Sequence, residues 1–177
     1  CFALDKYPVG DLNKNSMAEV FNNQDMKGIR KNMLANKASK HCTKCYDQEK
    51  SGFFSLRLSS NKHFGHNIGM VDDTQPDGSA DFVIKYWDIR FSNLCNLACR
   101  SCGTWFSSNW YEDHKKLTGK PPDHAKIMKV GRSSNDIWEQ MLEQFEHVEQ
   151  FYFAGGEPII MEEHYSCLLY TSPSPRD

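Results

Sequence analysis

Tyr86-Trp87-Asp88-Ile89-Arg90-Phe91-Ser92-Asn93-Leu94-Cys95-Asn96-Leu97-Ala98-Cys99-Arg100-Ser101-Cys102 is the stretch on which the fold turns. In its first half Trp87, Ile89 and Phe91 alternate with Asp88, Arg90 and Ser92, the period of two of a strand with one apolar face. A strand is therefore expected near Phe82–Ser92. The second half places Cys95, Cys99 and Cys102 in a CxxxCxxC loop that closes this strand. The loop offers three thiolates rather than four. A structural zinc site takes a closed set of four ligands. An iron–sulfur cube takes one ligand per iron, so three protein ligands leave one iron open to chemistry. The residues alone leave two alternatives standing: a zinc knuckle completed by a distant ligand such as His114, His66 or Cys42, and three unrelated buried cysteines.

Downstream, the polar, proline-containing stretch 118–135 reads as loop, with a helical turn over Tyr111–Leu117. Asp136 is expected to cap a helix, with Glu139 three positions later and a buried stripe of Ile137, Trp138, Met141, Leu142, Phe145 and Val148. Phe151-Tyr152-Phe153, within Glu149–Ala154, reads as a buried strand. Strand, loop, helix and strand in this order make a βαβ unit, which implies a parallel sheet with a right-handed crossover. Ala154-Gly155-Gly156-Glu157-Pro158 ends the second strand. Ligands of such sheets bind beyond the carboxyl ends of the strands, so the cysteine loop and the Gly-Gly-Glu segment should meet in space. Paired glycines allow close approach to the backbone, and Glu157 offers an acceptor to an ammonium group. Taken alone, the same segment reads as an ordinary strand-end turn.

CxxxCxxC after the first strand and Gly-Gly-Glu-Pro after the second resemble the radical S-adenosylmethionine superfamily, over roughly 82–164. The resemblance implies a fold class of α/β type, the start of a partial (βα) barrel. It implies a 4Fe-4S cluster on Cys95, Cys99 and Cys102, whose free iron takes the amino and carboxylate groups of S-adenosyl-L-methionine. Gly155, Gly156 and Glu157 match the element that contacts the methionine amino group. The implied reaction is one-electron reductive cleavage of the sulfonium to methionine and a 5′-deoxyadenosyl radical, which abstracts hydrogen from substrate. An electron donor such as flavodoxin or ferredoxin is implied with it. Many members carry an aromatic residue just before the third cysteine, where this chain has Ser101. Trp105 is the candidate to stack on the adenine, with a core tryptophan as the alternative.

Upstream, Ser16-Met17-Ala18-Glu19 is a capping box, and Asp25 can start a second helix with Met26, Ile29 and Met33 on one face. Cys42-Thr43-Lys44-Cys45 follows, with Glu49, Gly52, Ser55, Arg57 and Asn61 behind it. The apolar stretch Phe53–Leu58 is too short to assign to strand or helix. Residues 1–61 resemble the small α-rich "twitch" type of auxiliary-cluster domain that precedes the barrel in some superfamily members, phage-encoded ones included. That match assigns Cys1, Cys42 and Cys45 to a second iron–sulfur cluster; zinc and a redox pair are the other readings of a CxxC. Residues 62–81, rich in Gly, Asp and His with a Pro76-Asp77-Gly78 turn, are expected to link this domain to the barrel segment at 82–165. Residues 166–177 read as a non-native, adapter-like tail in which Cys167 carries no meaning, and the absence of an initiating Met suggests a fragment.

The seven cysteines fall mostly in two tight clusters, which fits metal binding in a reducing compartment better than a disulfide scaffold. No apolar run spans a membrane and no signal peptide is evident, so a cytoplasmic protein without a membrane partner is expected. A net charge of −2 gives no global argument for nucleic acid. Lys27–Lys44 carries six basic residues and no acidic one, read as a solvated helix face. Three function classes result: a radical S-adenosylmethionine enzyme, a zinc-binding structural or interaction module, and an iron–sulfur electron-transfer protein. For the enzyme a peptidyl substrate is the expectation and a small metabolite or nucleotide the runner-up.

Overall fold

Short polar side chains, Ser16, Asn23 and Ser55, set where three helices of the amino-terminal half begin. In this computed structural model, which describes residues 8–130 and 134–171, the chain divides into two units, Cys1–Val83 and Ile84–Asp177. In the first unit, helix α1 (Met17–Phe21) carries the expected capping box. The Glu19 amide donates to Ser16 Oγ at 3.2 Å, and the Ser16 amide donates to the Glu19 carboxylate at 2.8 Å, so two helix-end donors are satisfied reciprocally. Helix α2 (Gln24–Leu34) is capped by Asn23, whose side chain accepts from the Met26 amide at 2.9 Å. Asp25 is thus not the cap. It lies in the first turn, where a carboxylate favours the helix dipole.

The basic stretch is not uniformly solvated, because two of its cations hold a distant segment. Arg30 donates to Asn22 Oδ1, Gly78 O and Phe21 O at 3.2, 3.1 and 2.6 Å, and its guanidinium lies 4.1 Å from the centre of the Phe21 ring. Lys27 pairs with Asp77 at 2.7 Å. Asn22 and Ala80 exchange two hydrogen bonds. Residues 77–80 are therefore folded onto α2, and Gly78 fits there without a Cβ, which would stand 2.5 Å from Lys27 O. Residues 62–81 are not a linker. Helix α4 (Leu56–Phe64) runs into them, a 3-10 segment (Gly65–Val71) follows, and the unit boundary falls after Val83. Phe53 and Phe54 stay exposed, and helix begins only at Leu56, behind its Ser55 cap.

In the second unit, β1 (Tyr86–Ile89) pairs in parallel with β2 (Gln150–Phe153), Tyr86 opposite Gln150 and Ile89 opposite Phe153. β1 is shorter than the expected Phe82–Ser92 because the chain beyond Ile89 bonds elsewhere. Phe91 O accepts from Val130 N at 3.0 Å, the Asn93 amide donates to Met128 O at 3.3 Å, and Ser92 opposes Lys129 in an antiparallel bridge. Between the strands stand α5 (Tyr111–Thr118), ended by left-handed Gly119, and α6 (Ser134–Leu142). Asp136 lies inside α6 and not at its cap. The helix stops at Leu142, and a 3-10 turn (Phe145–His147) carries the apolar side onward. Trp138 meets Phe145 edge-on, Phe145 meets Phe151 likewise, Phe151 stacks on Phe153, and Phe153 meets His164. Trp87, Ile89, Phe91, Ile137, Met141 and Met161 are buried in this unit.

The fold is thus mixed helix with a small parallel sheet, roughly α/β. Among the described residues the sheet has two strands and no barrel is closed. Helix α7 (Glu162–Thr171) runs into the stretch expected to lie outside the fold, and its Cys167 is fully buried. No helix among the described residues is long and apolar enough to cross a membrane.

Candidate metal centre

The cysteine loop is held by groups that are not thiols. Ser108 Oγ accepts from the Cys95 amide at 3.1 Å, Ser107 Oγ donates to Leu97 O at 2.7 Å, and Trp110 Nε1 donates to Cys99 O at 3.0 Å. Ser107 and Ser108 are buried and start a 3-10 turn (Ser108–Trp110) that leads into α5. The turn therefore presents its polar side chains to the loop backbone. Cys99 is exposed, Cys95 and Cys102 are half-buried, and none is in a disulfide. Cys95 Sγ accepts from the Leu97 amide at 3.3 Å.

Gly-Gly-Glu reaches the loop, as the parallel sheet requires. The Glu157 amide donates to Leu94 O at 2.8 Å, and the Gly156 amide donates to Phe106 O at 2.9 Å. Both glycines have positive φ, +75° at Gly155 and +58° at Gly156, a region that disfavours any side chain. A Cβ on Gly156 would stand 2.2 Å from Leu94 O, and one on Gly155 2.8 Å from Arg90 Cβ. The glycines serve here to let β2's end lie against the start of the cysteine loop. Glu157 caps its own turn through Ile159 N at 3.3 Å, which leaves most of the carboxylate's acceptor capacity unused by that bond. Trp105 is 58% exposed and therefore not a core residue. One side of it meets His124, ring centres 4.4 Å apart, and His124 Nε2 lies 3.0 Å from Thr104 Oγ1.

In the first unit Cys42 stands at the cap of α3 (Thr43–Lys50) and Cys45 in its first turn. Both line a cavity of about 360 Å³ with His41, Lys44, Gln48 and Ser55 among its walls. Burial, and next the neighbouring Cys45, push the Cys42 thiol above its ordinary value. Ser55, one of the lining residues, donates its hydroxyl to the Glu49 carboxylate, which also takes the Arg57 guanidinium on both oxygens. Hydrogen bonds from Arg57 first, then Ser55, hold the Glu49 carboxyl below its usual range. Cys1 lies outside the described residues.

As chemistry, three uncrosslinked thiols on one loop suit a cluster, in which each cysteine holds a different iron. They are not gathered as ligands of one ion. Among the described residues no group of three His, Cys, Asp or Glu side chains is placed to hold a metal ion. Asn93, Ser107, Ser108 and Trp110 are the residues of the site that reading the sequence missed. The run Ser107-Ser108-Asn109, a cluster of capping types just before a helix, was the available signal. Compared with known proteins, the chain matches no family model, no curated protein and no solved structure.

Proposed function

We propose that this chain carries the cofactor-binding start of a radical S-adenosylmethionine enzyme, with a partial (βα) barrel opening at β1. The observation that carries the reading is the junction of its two motifs, the Glu157 amide bonded to Leu94 O at 2.8 Å, one residue before the first cysteine. In this reading Cys95, Cys99 and Cys102 hold a 4Fe-4S cluster. Gly155 and Gly156 let the backbone stand close to the amino acid end of S-adenosylmethionine, Glu157 accepts from its ammonium, and the open face of Trp105 is offered to its adenine. When bound, the cluster and S-adenosylmethionine together supply reductive cleavage to methionine and a 5′-deoxyadenosyl radical, with one electron from a donor such as flavodoxin or ferredoxin. The protein's part is orientation and a site from which water is kept. Cys42 and Cys45 belong in the same reading to an auxiliary iron–sulfur cluster, and a peptidyl substrate is the one to try first.

The test is anaerobic reconstitution with iron and sulfide. The expected product is brown, with broad absorption near about 400 nm from thiolate-ligated clusters, and an electron paramagnetic resonance signal after reduction that shifts when S-adenosylmethionine is added. Replacing Cys95, Cys99 and Cys102 by Ser abolishes that shift. Colourless protein holding stoichiometric zinc refutes the proposal.

A further inference from the structure

Asn93 stands two residues before Cys95 and is 3% exposed. A buried amide must find partners for its donors and its acceptor, and Asn93 finds them on three different pieces of backbone. Nδ2 donates to Thr104 O at 3.1 Å and to Lys126 O at 3.1 Å. Oδ1 accepts from the Met128 amide at 2.8 Å. Its own backbone adds two bonds, the amide to Met128 O at 3.3 Å and the carbonyl from Ser108 N at 2.8 Å.

The placement of these bonds matters more than their number. Thr104 follows Cys102 as Asn93 precedes Cys95, so the bond from Nδ2 to Thr104 O ties the entry of the cysteine loop to its exit. The Asn93 carbonyl fixes Ser108, and Ser108 Oγ in turn accepts from the Cys95 amide at 3.1 Å. From Asn93 there is thus a closed path of hydrogen bonds to the first cysteine and to the residue after Gly103. Lys126 and Met128 brace it from outside the loop.

We propose that Asn93 is a positioning residue for the metal centre: its side chain closes the loop 93–104 upon itself, and its backbone carbonyl, through Ser108, sets the backbone at Cys95 before any metal binds. This rests on reading the three cysteines as cluster ligands. Groups that hold metal ligands in place typically change metal retention about 10–100-fold when removed.

The test uses the full chain with Cys42 and Cys45 both changed to Ser, so that iron taken up reports the Cys95–Cys102 loop alone. Asn93→Asp keeps the size of the side chain and removes both donors. Ser108→Ala removes the relay to Cys95 and leaves the Asn93 side-chain bonds alone. Gln144→Leu is the control, since Gln144 is also buried and its side chain accepts from Ile84 N, away from the loop. Each variant is reconstituted anaerobically, its iron counted, the rate of iron loss to a chelator measured, and its thermal midpoint recorded.

Asn93→Asp and Ser108→Ala should both lose iron about tenfold faster or more, with altered resonance line shapes in the iron that remains. Gln144→Leu should lower the midpoint and leave iron loss within about twofold of the parent. Iron loss by Ser108→Ala at the parent's rate overturns the proposal, including where Asn93→Asp fails to fold. Iron loss that follows the midpoint alone, with Gln144→Leu as fast as the others, reduces Asn93 to a structural residue and overturns it too. If the parent takes up no iron, it is the cluster reading itself that falls.

Discussion

Replacing Gly156 by Ala should destabilise the second unit more than any other glycine-to-alanine change in it. The added Cβ would stand 2.2 Å from Leu94 O, 2.7 Å from Met161 Cε and 2.9 Å from Asn93 C. The methionine methyl can swing aside, but the two backbone atoms belong to the entry of the cysteine loop and are held there. Left-handed backbone costs a residue with a Cβ about 1–2 kcal/mol, and overpacking a tight site costs about 1–3 kcal/mol. Together these give about 2–5 kcal/mol. For a domain of this size each kcal/mol moves the melting midpoint by about 4–8 °C, so the fall should be about 8–40 °C. All four tryptophans, Trp87, Trp105, Trp110 and Trp138, lie in the second unit, and thermal melting followed by tryptophan fluorescence therefore reports this unit alone. Gly103→Ala is the matched comparison, one residue beyond Cys102 with nothing within 4 Å of its Cβ position, and should stay within about 0.5 kcal/mol of the parent. A Gly156→Ala midpoint level with that of Gly103→Ala would refute the claim that the two motifs touch at this glycine.

Other expectations concern the first unit and the thiols. Ser55→Ala removes both the cap of α4 and a hydrogen bond to Glu49, and should cost about 1–2 kcal/mol in urea unfolding followed by far-ultraviolet circular dichroism; an unchanged midpoint would show that the cap contributes nothing. The Glu49 carboxyl is depressed by Arg57 and Ser55, and that of Asp77 by Lys27 and Ser79. Because both folded values lie below the unfolded ones of about 4, their stabilisation is present above that pH and is lost as pH falls through the folded values. Glu49→Gln should flatten this acid limb, which urea midpoints at pH 2–5 would reveal, and an unaltered limb would remove Glu49 from the account. In metal-free protein, iodoacetamide should label exposed Cys99 first and Cys167 last, since Cys167 is fully buried and its thiol is pushed up to about 11. Peptide mass spectrometry that finds Cys167 labelled as fast as Cys99 would contradict its place in the core.

What could be read from the sequence was what neighbours in sequence determine. Ser16 and Glu19 cap α1 because a capping box needs only residues three apart. β1 and β2 were legible because their periodicity and apolar run lie within a few residues, and the parallel order of the sheet then brought Gly156 to Leu94. The missed features depend on partners far along the chain. Asn22 reaches Ala80 across 58 positions and Asn93 reaches Met128 across 35; no local pattern announces either. The Gly- and Asp-rich stretch 62–81 looked like a linker for the same reason, since the long-range bonds of Asp77, Gly78 and Ala80 go to α2 or the turn before it. Asp25 failed as a cap for a different reason: asparagine serves at a helix start as well as aspartate, and Asn23 lies just upstream and takes that place.

The loop that carries Cys95, Cys99 and Cys102 shows why these long-range bonds bear on chemistry. An unstructured loop that orders only when metal arrives loses backbone freedom at that moment, about 1–2 kcal/mol for each residue fixed, and its affinity is lowered accordingly. Here Ser107, Ser108 and Trp110 bind the backbone at Leu97, Cys95 and Cys99, so the ordering is met by folding of the unit. On the proposed reading, what remains for a metal is the orientation of three side chains, of which Cys95 accepts a hydrogen bond from the Leu97 amide. A bond that orients a ligand before binding raises affinity without touching the metal. The same logic explains why the glycines matter beyond their own turn. Glu157 is bonded to the carbonyl next to Cys95, so any change that displaces the end of β2 displaces the first thiol with it, and a loss of metal on substitution at Gly156 would follow from backbone geometry alone.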